Sequence, residues 1–311
     1  MVPATRPGRN RRSGQVLPIV ILVGVLGVAL SAVSIVSLYL GKVGSSVESM
    51  ARAEPISGYE GRPEKAIGTG EKPPQDYLVL VTDEDDVLLS AHVVHLSGSR
   101  QQLTMIGLPV DLLVPYGPGQ PQRSLAEAYQ VGDEAVVQEV ELLLGVRTDH
   151  QVRLGLDGFS GVVDAIGGFG DGELAEHAAD GRALLGYVAD APDGPQRVER
   201  VSEVVRGTLE RLDVVQAVTN PRQFDRVLRA LEECTLVDSD LTVAAFEETL
   251  MESSVRVDEI ASITLETTVS DAGRRAVPNH LAKLRKALQK DDFEGLAEPM
   301  AASAGTPTPH R

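Results

Sequence analysis

The acidic run Asp83-Glu84-Asp85-Asp86 and the arginine pair Arg197 and Arg200 are the places where side-chain type and spacing could do chemistry. Neighbouring carboxylates can hold a cation, but four acids in a row read first as an ordinary solvated loop. Asp111 follows Pro109 at the end of an apolar run, a position where aspartate commonly caps a turn. Arg197 and Arg200 are three apart, so on a helix they share a face and can pair with acids such as Glu199 or Glu203. His92 and His95 alternate with apolar residues and read as core or edge side chains, because no third ligand stands at metal-site spacing. His150 orders the turn Arg147–His150, and the single cysteine, Cys234, sits in the apolar pattern LRALEECTLV as a small buried hydrophobe. The chain lacks a G-x-S-x-G elbow, a Walker loop and an H-E-x-x-H pair. Gly167-Gly168-Phe169-Gly170 is too short, and too late after a helix, to cradle a nucleotide.

The elements that must position these residues follow from periodicity. Tyr77–Val81, Ala91–Leu96 and Leu103–Leu108 are apolar runs of strand length, and Val152–Leu156 is a fourth. Asp133–Leu144 repeats apolar residues at helical spacing and stops at Gly145. Asp157 is expected to cap a short helix that ends at Gly167-Gly168. Helices are also expected over Arg182–Val188, Arg197–Leu212, from Asn220-Pro221 to about Glu233, over Thr242–Ser253 and over Pro278–Lys290. Strands mixed with helices, with no second boundary, predict one α/β (α+β) domain: a central mixed β-sheet flanked by helices, over residues 76–292.

Residues 1–14 hold four arginines and no acid, while the whole chain has a net charge of −16, which argues against nucleic acid as a partner. Residues 15–40 are uncharged and rich in Val, Leu and Ile, long enough for one N-terminal transmembrane helix. The arginines before it predict a cytoplasmic N-terminus and an extracellular domain, a single-pass protein of the plasma membrane. A cleaved signal peptide, with Ala51-Arg52-Ala53 as its site, is the rival reading, but the apolar stretch exceeds the usual span of such peptides. Residues 41–75, rich in Gly and Pro, are expected to be an extracellular linker, and residues 293–311 a disordered tail.

Read in order, DYLVLVTDED, AHVVHL, IGLPVD, GFSGVVDAIGG and DGRALLGYVADAPDGPQRVER resemble the core of the LytR-CpsA-Psr family. The most specific pieces are Val163–Gly168, Arg147–His150 and Asp180–Val188. The resemblance implies a protein of cell-envelope assembly, in a family that attaches glycopolymers to peptidoglycan from a polyprenyl-pyrophosphate carrier. It also implies an apolar groove for the lipid, arginine forks on the pyrophosphate, and carboxylates holding a divalent ion such as magnesium.

On that resemblance Asp83 falls at the metal site, and Asp111, Arg197 and Arg200 fall at catalytic positions. Four arginine positions of the family pattern are instead Asp85, Val87, Val110 and Ala189. No Lys or Arg lies between Lys72 and Arg100 to replace them. Four lost charge-assisted contacts would remove on the order of 6 kcal/mol of phosphate binding. The expectation is therefore a degenerate site without a cofactor, in a protein that binds a glycolipid or peptidoglycan, or accompanies active relatives. The alternatives are an active, magnesium-dependent phosphotransferase using the four survivors, and an unrelated anchored binding or sensor domain.

Overall fold

The computed structural model describes residues 42–68, 72–115, 122–170, 173–211, 220–256, 260–271 and 273–296. The segments 1–14 and 15–40, and all of the tail beyond residue 296, lie outside the described residues. Among the described residues no helix is long and apolar enough to cross a membrane.

Seven strands form one mixed sheet: β1 (Ala51–Ala53), β2 (Gln75–Thr82), β3 (Leu88–Leu96), β4 (Leu103–Leu108), β7 (His150–Gly155), β8 (Thr235–Asp238) and β9 (Ala261–Thr264), in the order β1-β8-β7-β2-β3-β4-β9. β2 is central, antiparallel to β3 and parallel to β7. Its residues Asp76–Thr82 are all buried, as expected of a strand covered on both faces. Two short hairpins stand apart from the sheet, β5 (Leu113–Val114) with β6 (Arg123–Ser124), and β10 (Thr267–Ser270) with β11 (Gly273–Ala276).

The pleat of the sheet divides the core in two. Tyr77, Val79 and Val81 face a layer made with α4 (Leu156–Ile166), α6 (Gly181–Ala189), α7 (Gly194–Arg211) and α8 (Pro221–Cys234). Leu78 and Leu80 face the other layer, made with α2 (Leu125–Val131), α3 (Asp133–Leu144) and α10 (Pro278–Lys290). The remaining helices among the described residues are α1 (42–49), α5 (Glu173–His177) and α9 (Val243–Glu252). Asn220 caps α8 by accepting from the Gln223 N–H, with Pro221 in the first turn, as expected. The helix after β7 begins one residue before Asp157. Gly155 is its N-cap, and Asp157 sits in the first turn, where a carboxylate meets the positive end of the helix.

The stretch 41–75 differs from the spacer expected of it. Val43, Val47 and Met50 are buried against the α4 layer, and β1 pairs in parallel with β8. Further on, Arg62 forms a two-pronged ion pair with the fully buried Glu141, its Nε 2.9 Å from Oε2 and its Nη2 2.7 Å from Oε1. The Tyr59 hydroxyl donates to the same carboxylate at 2.8 Å. Glycine and proline remove helical periodicity, but they do not stop an extended chain from lying along a surface and burying the side chains between them.

Candidate functional site

The expected site residues gather at one end of the sheet, where β2 and β4 finish and β3 begins. Thr82 pairs with Leu88, and Leu108 pairs with Ala91, which sets the ends of the three strands side by side. The N-terminal half of α7 crosses this end. Its close approach depends on Gly107 of β4, where an added Cβ would lie 2.0 Å from Cγ1 of Val198. Val198 is fully buried. It therefore fills the layer between α7 and β4.

Asp83 caps its own turn. Its Oδ1 accepts from the backbone N–H of Asp85 at 3.0 Å and of Val87 at 2.8 Å. The Val87 side chain is 52% exposed, an apolar group where the family resemblance places an arginine. Among the described residues no three His, Cys, Asp or Glu side chains converge as metal ligands. The Asp83 carboxylate serves its own turn.

Asp111 is joined to Arg274 of β11, whose Nε donates to Oδ2 at 2.8 Å. Arg274 also reaches Asp193, just ahead of α7, at 4.0 Å. Gly194 fits beside Asp111 because it lacks a side chain; a Cβ there would lie 2.6 Å from Oδ1. The hairpin β10–β11 thus clamps the β4 end to the start of α7.

The two arginines of α7 turn toward the end of α6 rather than toward Asp111. Arg197 donates from Nη2 to the Ala191 carbonyl at 3.4 Å, and its Nε is buried without a partner. Arg200 donates from Nη1 to the Tyr187 carbonyl at 2.5 Å and lies over the Tyr187 ring at 4.6 Å. His177 also stacks with that ring, and the Tyr187 hydroxyl donates to Glu203 at 2.6 Å. Glu199 and Glu203 lie on the same helix, and Asp193 just ahead of it. Burial, with the nearby charges of Glu203 and Asp193, raises the pKa of Glu199.

Two of the four expected positions, Arg197 and Arg200, therefore bond to carbonyls at the end of α6 rather than to the acids Glu199 or Glu203, a third belongs to an interelement clamp, and the fourth to a turn. Sequence reasoning missed Arg274, which is 163 residues from Asp111 and stands in a hairpin with no motif. It also missed Tyr187 as the ring on which Arg200 rests, although both lie within blocks that carried the family resemblance.

Residues 86–170 match the model of the LytR_cpsA_psr family. The probable cell wall biosynthesis protein LcpB of Corynebacterium glutamicum is 30% identical over 156 residues, a match that covers 44% of this chain and 37% of the relative's length. The LytR-Csp2A-Psr enzyme from Actinomyces oris superposes with a TM-score of 0.56 at 18% identity, over 76% of this chain and 95% of its own. TagT bound to LIIa-WTA gives a TM-score of 0.56 at 18% identity, over 76% of this chain and 98% of that one. At these identities the structures establish the fold. Together with the matched segment they bear out the resemblance read from the sequence: residues 86–170 are similar to the LytR-CpsA-Psr family, and the fold is that of the solved structures named above.

Proposed function

We propose that this chain is a membrane-anchored, extracytoplasmic protein of cell-envelope assembly that has kept the family scaffold and lost its grip on pyrophosphate. It acts by binding, or by accompanying active relatives, rather than by transferring a glycopolymer itself. One observation carries this reading. Where a pyrophosphate would need free guanidinium groups, Arg200 is stacked on Tyr187 and bonded to its carbonyl, and the hydroxyl of the same ring is bonded to the Glu203 carboxylate. A bound phosphate would have to displace those contacts and face like charge. The seating of Val198 against Gly107 adds a steric argument, since it fills space between α7 and the sheet.

A second reading has one observation in its favour. The Nε of Arg197 is buried without a hydrogen-bond partner, a donor held ready for an acceptor. On that reading Arg197, Arg200 and Asp111 serve an active phosphotransferase, of the kind suggested by the relatives named for cell-wall biosynthesis and by TagT bound to LIIa-WTA. Binding of a polyprenyl-pyrophosphate lipid to the full chain, with and without magnesium, separates the two. The first reading expects no metal-dependent binding; the second expects binding that Arg197→Ala abolishes.

A further inference from the structure

On the face of the sheet away from α7 there is a cavity of about 900 Å³. Its floor is β7. Gln151 pairs across the strands with Leu78, and Arg153 with Leu80, so both polar side chains rise on the α2–α3 side. Ile56, Val137 and Leu236 supply apolar wall. The volume is in the range of small-ligand sites.

Two independent observations mark the cavity as a built site. Gln151 is only 5% exposed, yet its Nε2 has no hydrogen-bond partner, and neither has Nε of Arg153. A half-turn about the last side-chain bond of Gln151 exchanges its amide ends, so the donor can face the cavity. Second, α3 opens at this wall on Gly132, with no side chain capping its first N–H groups. All of these are donors that call for an acceptor.

Charge narrows the acceptor. Arg153 is already held by Asp133 at 2.6 Å and Asp86 at 3.4 Å. Among the described residues the lining holds three arginines and four carboxylates; three of those carboxylates are exposed, and Glu54 and Glu134, unlike Asp86, are not engaged by Arg153. A phosphate or other polyanion would find no net positive field here. The fitting ligand carries neutral acceptors at its inner end and a cation at its outer end. A polypeptide backbone with a basic side chain has that pattern.

We propose that this cavity binds a short cationic peptide segment. Its backbone carbonyls accept from Gln151 and Arg153, its lysine or arginine faces Glu54 and Glu134, and its small apolar groups lie on Val137 and Leu236. This site is separate from the lipid question, because it lies on the opposite face of the sheet and shares no residue with the α7 cluster.

The test is calorimetric titration of the full chain with the capped pentapeptide Ala-Ala-Lys-Ala-Ala, beside Ala-Ala-Glu-Ala-Ala and N-acetylglucosamine. The lysine peptide is expected to bind, with affinity that falls as salt rises. Gln151→Ala is expected to weaken it by about tenfold. Glu134→Gln, an exposed change that leaves the packing alone, is expected to weaken it by about threefold. Equal binding of the glutamate peptide, uptake of the sugar in place of the peptide, no binding of any probe, or unchanged affinity in both folded variants would each overturn the proposal.

Discussion

Arg62 and Glu141 are the pair on which single side chains matter most. Glu141 is wholly buried and takes hydrogen bonds from Arg62, Tyr59 and the Thr148 N–H. Removing the cation leaves a buried charge short of partners, so Arg62→Ala is expected to lower stability by about 3–5 kcal/mol in urea unfolding. Asp111 offers the contrast. Its side chain is half exposed, so water screens its bond to Arg274. A double-mutant cycle with Asp111→Ala and Arg274→Ala should give a coupling of about 0.2–1 kcal/mol. A coupling several times larger would mean that the clamp is better shielded than the geometry implies. Neither pairing was legible in the sequence, because partners 79 and 163 residues apart meet only through the fold. That Arg197 and Arg200 share one helix face was legible, since helical spacing alone fixes it, but their carbonyl partners at the end of α6 were not.

Among the elements, α7 and β3 each carry a prediction. Gly107→Ala would press a methyl into Val198, and α7 must shift or Val198 must leave its rotamer. A loss of about 1–3 kcal/mol is expected, measured by thermal unfolding; no loss would show that α7 sits less tightly on β4 than described. On β3, His95 lies between Asp76 and Asp291, with ring nitrogens 2.8 and 2.9 Å from their carboxylates. Burial alone would lower its pKa, but the two acids overcome burial and raise it to about 9. A raised histidine adds stability that is full below its unfolded value of about 6.5 and is lost as pH rises through the folded value. Stability should therefore fall by on the order of 2–3 kcal/mol between neutral pH and pH of about 10, and His95→Gln should flatten that fall. His92, three residues earlier on β3 and so on its other face, is pushed down to about 4 by burial and acts only on the acid side.

The long, periodic elements were legible: Leu103–Leu108, Asp133–Leu144 and Pro278–Lys290 stand where spacing put them. The short strands β1, β8 and β9 were not, because three or four residues give no measurable period and their strandness comes from the neighbour they pair with. His95 was read as a core side chain, which it is, but nothing local reveals an acid 196 residues away.

At the scale of the whole molecule, two surfaces of one sheet carry different arguments. The α7 end holds the positions that the family resemblance names, each engaged with its own turn, with Arg274 or with carbonyls at the end of α6. The α3 face holds a polar cavity that no motif announced. Residues 42–68 tie into both layers rather than hanging free, through Val47 on one side and Arg62 on the other. The fold class could be inferred from the alternation of strands and helices, and the family from ordered blocks of sequence. The state of the site could not, because an arginine's identity does not say whether its guanidinium is free. That state is tested most directly by titrating the full chain with a polyprenyl-pyrophosphate lipid in the presence and absence of magnesium. The account predicts no metal-dependent binding by a folded protein. Tight binding that magnesium strengthens and Arg197→Ala removes would contradict it.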